Sequence, residues 1–388
     1  MSQRSLGIYV HWPFCKAKCP YCDFNSHVRH QGVEPNQFGD ALVAELGWFA
    51  GQTPGRTVTS VFFGGGTPSL MPPTIVGQVI DQVACLWPVT DDVEITLESN
   101  PTSAEAENFA GYRNAGVNRV SVGIQALDEA DLKYLGRQHS VQEGLAAFRM
   151  AAGIFPRTSF DLIYARPGQT PDQWRRELSR ALQEQQGHMS LYQLTIEPDT
   201  AFFRLHEAGQ LATPGEDHAA EMYEITQELT SAAGLPAYEV SNHARPGHEC
   251  RHNMLYWTYG EYAGVGPGAH SRLIADDGSR LALATEKHPE TWLARVSARH
   301  NGVVENTVVA GEDAAQECLL MGMRTVKGVS LNRLQKMSGA RIDRGPLEHL
   351  VSDGLVCLAN SGDHVVATAA GRQVLNSVIE FMAAKTLR

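Results

Sequence analysis

Short apolar runs alternate with amphipathic stretches over the first 240 residues, and the alternation predicts strands joined by helices. Residues 6–11, 58–63, 93–98, 117–124, 157–164 and 188–195 are compact runs rich in β-branched and aromatic residues, as buried strands are. Between them, Phe38, Leu42, Leu46 and Phe49 recur at helical spacing within 37–49. Further helices are expected over 73–86, over 102–116, from Ser140 to Ala152, and over 218–232. Ser140 and Glu143 have capping-box spacing, and Thr102 or Ser103 with Glu105 offers a similar start. Strands joined by crossover-length helices imply a mainly parallel α/β sheet, open or closed into a barrel.

The pattern changes after Pro267. Helices are expected over 284–300 and 310–322, and again over 377–387. Residues 355–360 and 364–369 read as a short hairpin around 361–363.

A chain of 388 residues has room for two domains, and 43% apolar with 19% charged residues suits an ordered globular protein. A formal charge of -11 argues against broad binding to nucleic acid or to an anionic membrane, and no basic recognition helix is visible. Seven cysteines, three clustered and four dispersed, make a poor disulfide framework and suggest a reducing compartment. Cys85, Cys250, Cys318 and Cys357 read as packed or free thiols. The opening MSQRSLGIYV lacks the apolar core of a secretory signal, and no apolar run reaches membrane-spanning length. A cytoplasmic protein is expected, with membrane contact only peripheral and through a partner.

The clustered cysteines are Cys15, Cys19 and Cys22, in YVHWPFCKAKCPYCDF. Thiolates are soft anionic ligands for iron or zinc, and buried thiols or a disulfide are the plainer alternatives. Three cysteines also suit a [4Fe-4S] cluster whose fourth iron takes an external ligand. Gly64-Gly65-Gly66-Thr67-Pro68 follows a strand; it is either a tight turn or a backbone cradle for a ligand carboxylate. Glu98, Gln125, Arg137 and Asp161 stand at or beyond successive strand ends, as solvated polar residues or as one lining. Tyr9 and Tyr21 flank or interrupt the cysteines and read equally as core aromatics. His252-Asn253-Met254-Leu255-Tyr256-Trp257 reads first as a packing segment, although histidine can hold heme iron and aromatics can pack on a porphyrin.

C-x3-C-x2-C followed by GGGTP resembles the cluster motif of the radical S-adenosylmethionine (SAM) superfamily, and the longer cysteine string resembles its oxygen-independent coproporphyrinogen oxidase-like family. The resemblance implies a partial (β/α)6 barrel over residues 1–240, a heme-signature and connecting segment over 241–283, and a helical and winged HemN-type domain over 284–388. It implies a [4Fe-4S] cluster on Cys15, Cys19 and Cys22. It implies SAM contacts from Tyr9, Tyr21, Gly65, Gly66, Thr67, Glu98, Gln125, Arg137 and Asp161. H-N-x-x-Y-W resembles the signature of the family's heme chaperones, implying heme contacts from His252, Asn253, Tyr256 and Trp257, with His252 as first candidate ligand. Gly266, Gly268 and His270 would shape the cavity floor, and His243 and His248 are weaker ligand candidates. No catalytic residue is assigned.

The family's oxidases carry a fourth cysteine two residues after the third, and a longer segment before the motif. Here the fourth position is Phe24 and Cys15 comes early. Both features point to the heme-chaperone branch. The implied partners are heme, an acceptor hemoprotein such as a membrane-associated respiratory enzyme, and an electron donor for the cluster. The alternative is radical decarboxylation of coproporphyrinogen III.

Overall fold

The structure, a computed structural model, describes residues 4–29 and 34–386. The six apolar runs become strands β1 (Arg4–Trp12), β2 (Arg56–Gly65), β3 (Val89–Ser99), β4 (Arg119–Gln125), β5 (Arg157–Tyr164) and β6 (His188–Gln193). Each pairs parallel with the next. Between them run α1 (Pro35–Gln52), α2 (Pro73–Leu86), α3 (Ser103–Ala106), α4 (Phe109–Asn114), α5 (Glu129–Tyr134), α6 (Val141–Ile154) and α7 (Pro171–Ala181). α8 (Ala201–Glu207) and α9 (Glu216–Ala232) follow β6. This is the expected α/β partial barrel.

Side chains alternate across each strand. Leu6, Ile8, Val10, Val61, Phe63, Leu97, Val120, Val122, Phe160 and Leu162 point one way and share a core with Leu42, Leu46, Phe49, Val76 and Val79 of the helices. The other face is polar, with Ser121 bonded to Ser159 at 2.8 Å and to Asp161 at 3.0 Å. A parallel sheet buried by helices outside can therefore carry ionisable groups inside.

Two helix expectations need correction. The stretch 102–116 is two short helices with a turn at 107–108, and the Glu105 carboxylate of the first accepts from the Ser69 hydroxyl and the Asn100 N–H. The helix expected over 284–300 is α11 (Pro289–Arg299), preceded by strand. After β7 (Asn242–Ala244) and α10 (Arg251–Trp257), β8 (Glu261–Val265) adds parallel to β1 on its free side. β9 (His270–Ile274), β10 (Arg280–Thr285) and β11 (Val303–Val309) continue antiparallel. The sheet order is β11-β10-β9-β8-β1-β2-β3-β4-β5-β6-β7. A boundary between 283 and 284 falls inside β10.

A second apolar core is built by α12 (Gly311–Gly322), α13 (Leu331–Ser338), α14 (Arg344–Ser352) and α15 (Leu375–Lys385), with Tyr259 packed into it. β12 (Val329–Ser330), β13 (Val356–Ala359) and β14 (His364–Ala367) form its small sheet, with the expected hairpin between β13 and β14. The last helix covers most of 377–387; Leu387 lies outside the described residues. No helix among the described residues is long and apolar enough to cross a membrane.

Glu45 of α1 fastens the added strands to the barrel. Its carboxylate accepts from Gly266 N–H (2.8 Å), Gly302 N–H (2.6 Å) and the Trp292 indole (3.1 Å). Burial raises its pKa to about 7, with those donors holding it lower than burial alone would. An acid that ionises later folded than unfolded makes folding less favourable as pH rises from about 4.5 to about 7. Glu45→Gln should flatten that part of the stability profile, measured by urea unfolding at several pH values. Glu45→Ala strands three donors and should cost about 2–3 kcal/mol.

Candidate functional site

The C-terminal strand ends open on a cavity of about 350 Å³. The cysteine loop forms one wall. Phe14–Cys15 pairs with His27–Val28, His11 Nε2 meets the Asn25 carbonyl at 2.9 Å, and Asn25 Nδ2 donates to the carbonyls of Pro267 and Lys287. The glycine segment lets β2 pass beneath this loop. Gly65 has φ +109°, and a Cβ there would lie 2.6 Å from His11; a Cβ at Gly66 would lie 2.8 Å from the Pro13 carbonyl. The Gly266 and Gly268 positions are crowded by His11 and Asn25 in the same way. They support the cysteine loop.

Cys15, Cys19 and Cys22 line the cavity together with Tyr21, Gly65, Gly66, Thr67, Glu98, Gln125, Arg137 and Asp161. Thr67 donates to Cys15 Sγ at 3.3 Å, and Arg137 to Cys19 Sγ at 3.4 Å. Burial pushes the Cys15 and Cys22 thiols up, and the neighbouring thiols push the same way. The Arg137 guanidinium also donates to Asn100 Oδ1 at 2.6 Å and to the Gly123 carbonyl at 2.8 Å, so its position is fixed from three sides. Glu98 is raised to about 8, mainly by burial and then by the nearby Asp161 carboxylate; a Gly65 N–H and Arg119 oppose the rise. Burial raises Asp161 as well.

These residues fit a thiolate-held cluster with a cationic organic ligand beside it. Among the described residues no three His, Cys, Asp or Glu side chains are gathered as for a single metal ion. A cluster takes one thiolate per iron, so its ligands stand further apart than those of one ion. Three soft donors facing one cavity suit that arrangement. Gln125, at φ +75°, has a buried Oε1 without a partner, and two carboxyls wait beside it. The cavity therefore has unspent acceptors for ribose hydroxyls, an amine or a sulfonium.

Tyr9 is absent from the cavity lining; its hydroxyl meets His11 Nδ1 at 3.1 Å, and its ring stacks at 6.3 Å on both Phe62 and His252. His252 lies deeper, toward the strand N-termini. Its Nδ1 meets Ser60 Oγ at 3.0 Å, its ring stacks on Phe62 at 5.1 Å, and only Gly7 leaves room for it. It is 8% exposed, and burial lowers its pKa to about 4. Glu94 holds the start of α10 through the N–H groups of Arg251 (2.8 Å) and His252 (3.3 Å). Thus the histidine of the signature plugs the barrel floor, away from the cysteines. Asn253 and Trp257 are half-buried, and Tyr256 is 36% exposed with its ring 5.8 Å from Tyr262. His243 is buried, while His270 is exposed and His248 half-buried.

His252→Ala should therefore lower stability by about 2 kcal/mol through the void and the lost Ser60 contact, seen as an earlier thermal midpoint. The sequence reading missed Tyr192, Gln193 and Asn100 in the cavity lining. Their signal was the same as that of Glu98: polar residues at a strand's C-terminal end.

Residues 9–181 match the radical SAM superfamily, and residues 309–374 match the HemN C-terminal domain. The chain is 34% identical to the heme chaperone HemW of Escherichia coli K12, over 98% of each chain. It is 37% identical to mouse radical S-adenosyl methionine domain-containing protein 1, mitochondrial, over 96% of this chain and 86% of that one. The solved coproporphyrinogen III oxidase HemN of E. coli, described as a radical SAM enzyme, superposes with a TM-score of 0.81 at 22% identity, over 98% of this chain and 90% of that one. The last is a likeness of fold. Two family matches and near-complete overlap with relatives above 30% identity place the chain in the radical SAM superfamily, within the HemN/HemW family.

Proposed function

We propose that this protein acts on heme through a [4Fe-4S] cluster and SAM at the barrel mouth, binding heme and passing it to an acceptor hemoprotein. The observation that carries the reading is the convergence on one cavity of three cysteines from one loop with polar residues from or beyond four strand ends. Cys15, Cys19 and Cys22 would hold the cluster. Thr67, Glu98, Gln125, Arg137 and Asp161 would hold and orient SAM. When bound, the pair supplies one-electron chemistry at the cavity wall. The chain's own contribution is to place Arg137 beside a thiolate, set acceptors opposite it, and keep the floor closed with His252. Delivery rather than turnover is supported by relatives named heme chaperone HemW, at 34–38% identity over 98% of this chain. Phe24 stands 57% exposed at the cavity edge, where the oxidase pattern has cysteine. The heme contacts would come from the α10 segment; His252 would have to leave its Ser60 contact to ligate iron.

The second reading, radical decarboxylation of coproporphyrinogen III, draws more directly on the geometry. The fold follows the HemN oxidase nearly end to end, and the cavity is furnished while the heme-signature histidine is enclosed. One anaerobic comparison separates the two. Cluster-loaded protein is given SAM with coproporphyrinogen III, and separately heme followed by an apo-hemoprotein acceptor. Heme transfer without decarboxylated product supports delivery; sustained product without transfer sinks it in favour of the oxidase.

A further inference from the structure

Arg119 of β4 is 3% exposed, and among the described residues its guanidinium pairs with no carboxylate directly. The buried Arg56 and Arg166 each do, meeting Glu261 at 3.1 Å and Asp131 at 2.7 Å, and the nearby Glu94 is taken by Arg157 at 2.8 Å. A buried charge is costly unless it is answered, so the answer has to come from further off. Arg119 and Ser121 on β4, and Ser159 and Asp161 on β5, alternate onto the barrel's inner face, with Ser121 in register with Ser159. Arg119 Nη2 donates to Ser159 Oγ at 3.0 Å, the Ser159 and Ser121 hydroxyls meet at 2.8 Å, and Ser121 donates to Asp161 Oδ1 at 3.0 Å. A guanidinium has donors and no acceptor, so Ser159 donates onward to Ser121, whose own proton goes to Asp161. The direction is fixed, from cation to carboxylate. His188 adds no charge to the line. Its Nδ1, 3.4 Å from Arg119, is the acceptor, so the neutral ring carries its proton on Nε2, toward the Tyr238 hydroxyl at 2.9 Å.

We propose that Arg119 is a positioning residue: through Ser159 and Ser121 it orients Asp161 and holds its negative charge toward SAM, a role that rests on the reading of the cavity as a SAM site. Ser121 and Asp161 line that cavity and Arg119 does not, so Arg119 acts one layer below the ligand. Other groups face the same carboxyl. Ser190 of β6 and Arg137 also favour its anion, Glu98 of β3 stands near it as a second carboxyl, and Tyr192 is kept a neutral phenol by burial. Among the described residues, Arg119 is the cation joined to Asp161 by an unbroken line of donors. A cation below a cationic ligand repels it through space, but one tied to the carboxylate readies that carboxylate to attract it. The two effects have opposite signs.

Equilibrium dialysis of SAM against the cluster-loaded full chain reads the sign, at about pH 7.5 where Glu98 is still mostly protonated before the ligand binds. Arg119→Met should weaken SAM binding about tenfold, whereas repulsion alone predicts tighter binding. Arg119→Lys keeps a donor cation and should recover most of the loss. Ser159→Ala cuts the line with the cation in place and should weaken binding about fivefold, and Ser159→Thr should restore it. Ser159→Ala carries the test alone should Arg119→Met fail to fold. Iron content should stay at the wild-type level throughout. With Asp161→Asn already present, adding Ser159→Ala or Arg119→Met should cost less than about twofold more, because the carboxylate they serve is gone. Ligand-free protein gives a separate readout: infrared difference against Asp161→Asn should show a carboxylate in the wild-type chain and a carboxylic acid in Arg119→Met. A wild-type chain that bound no SAM would overturn the site reading and the SAM role with it, while the infrared comparison would still judge Arg119's hold on Asp161. SAM binding that Arg119→Met or Ser159→Ala leaves unchanged or tightens, losses that persist in full beside Asp161→Asn, or an ionised Asp161 in Arg119→Met overturns the positioning role alone.

Discussion

Cys19→Ala should leave the protein folded and unable to take up iron. The wild-type chain, reconstituted anaerobically with iron and sulfide, should carry about four irons per chain, and the variant less than a tenth of that. The physical reason is the donor set. Cys15, Cys19 and Cys22 are half-buried on one loop, and loss of one thiolate leaves an iron without a protein ligand. The fold does not depend on Cys19: the loop is held by the Phe14–Cys15 pairing, by His11 and by Asn25. Far-ultraviolet circular dichroism should therefore coincide for the two proteins. Cys250→Ala is the control. That thiol is fully buried beside Glu94 and is pushed up to about 12, so its removal should disturb packing and leave iron uptake intact. Full iron content in Cys19→Ala would remove the cluster from the account.

The parts legible in sequence were those whose signal is local. Compact runs such as VTSVFF and FDLIY announced parallel strands, because strands buried by helices need near-continuous apolar content. The glycine segment announced a close approach, although what crowds Gly65 is the His11 ring of β1 and what crowds Gly66 is the backbone leading into the cysteine loop. β8 and β9 are five residues each, too short for periodicity, and the last two residues of strand β10 fell at the start of an expected helix. Depth was also illegible. Tyr9 and His252 sit on the barrel's inner side with Glu98 and Asp161, but sequence does not say how far down a side chain stands. Two layers share one interior: a ligand-ready mouth with unspent acceptors, and a floor closed by His252, Ser60 and Phe62. Tyr9 stands between them, stacked on the floor and bonded to the histidine that carries the cysteine loop.

SAM binding to the cluster-loaded protein should strengthen with pH through Glu98. In the ligand-free chain Glu98 is raised from 4.5 to about 8, first by burial and then by Asp161. Below about pH 8 it is mostly protonated. A sulfonium in the same cavity favours the carboxylate, so binding expels that proton and weakens as acid makes the expulsion costlier. The slope approaches one decade of affinity per pH unit well below pH 8 and halves at the midpoint, so between pH 6 and pH 8 about fiftyfold is expected from Glu98. Above about pH 8 the curve should flatten. The α-amino group of SAM titrates near the same range and contributes in the same direction. Glu98→Gln separates the two: the amide keeps the shape and cannot ionise, so its curve retains only the ligand's share and lies lowest relative to wild type at pH 8.5. Equilibrium dialysis of SAM at each pH would check this. Parallel curves for the two proteins would mean that Glu98 stays protonated in the complex, donating a hydrogen bond to the ribose, with Asp161 left as the charge partner. Burial raises Asp161 as well, while Ser190, Ser121, Arg119 and Arg137 stabilise its anion and oppose that rise.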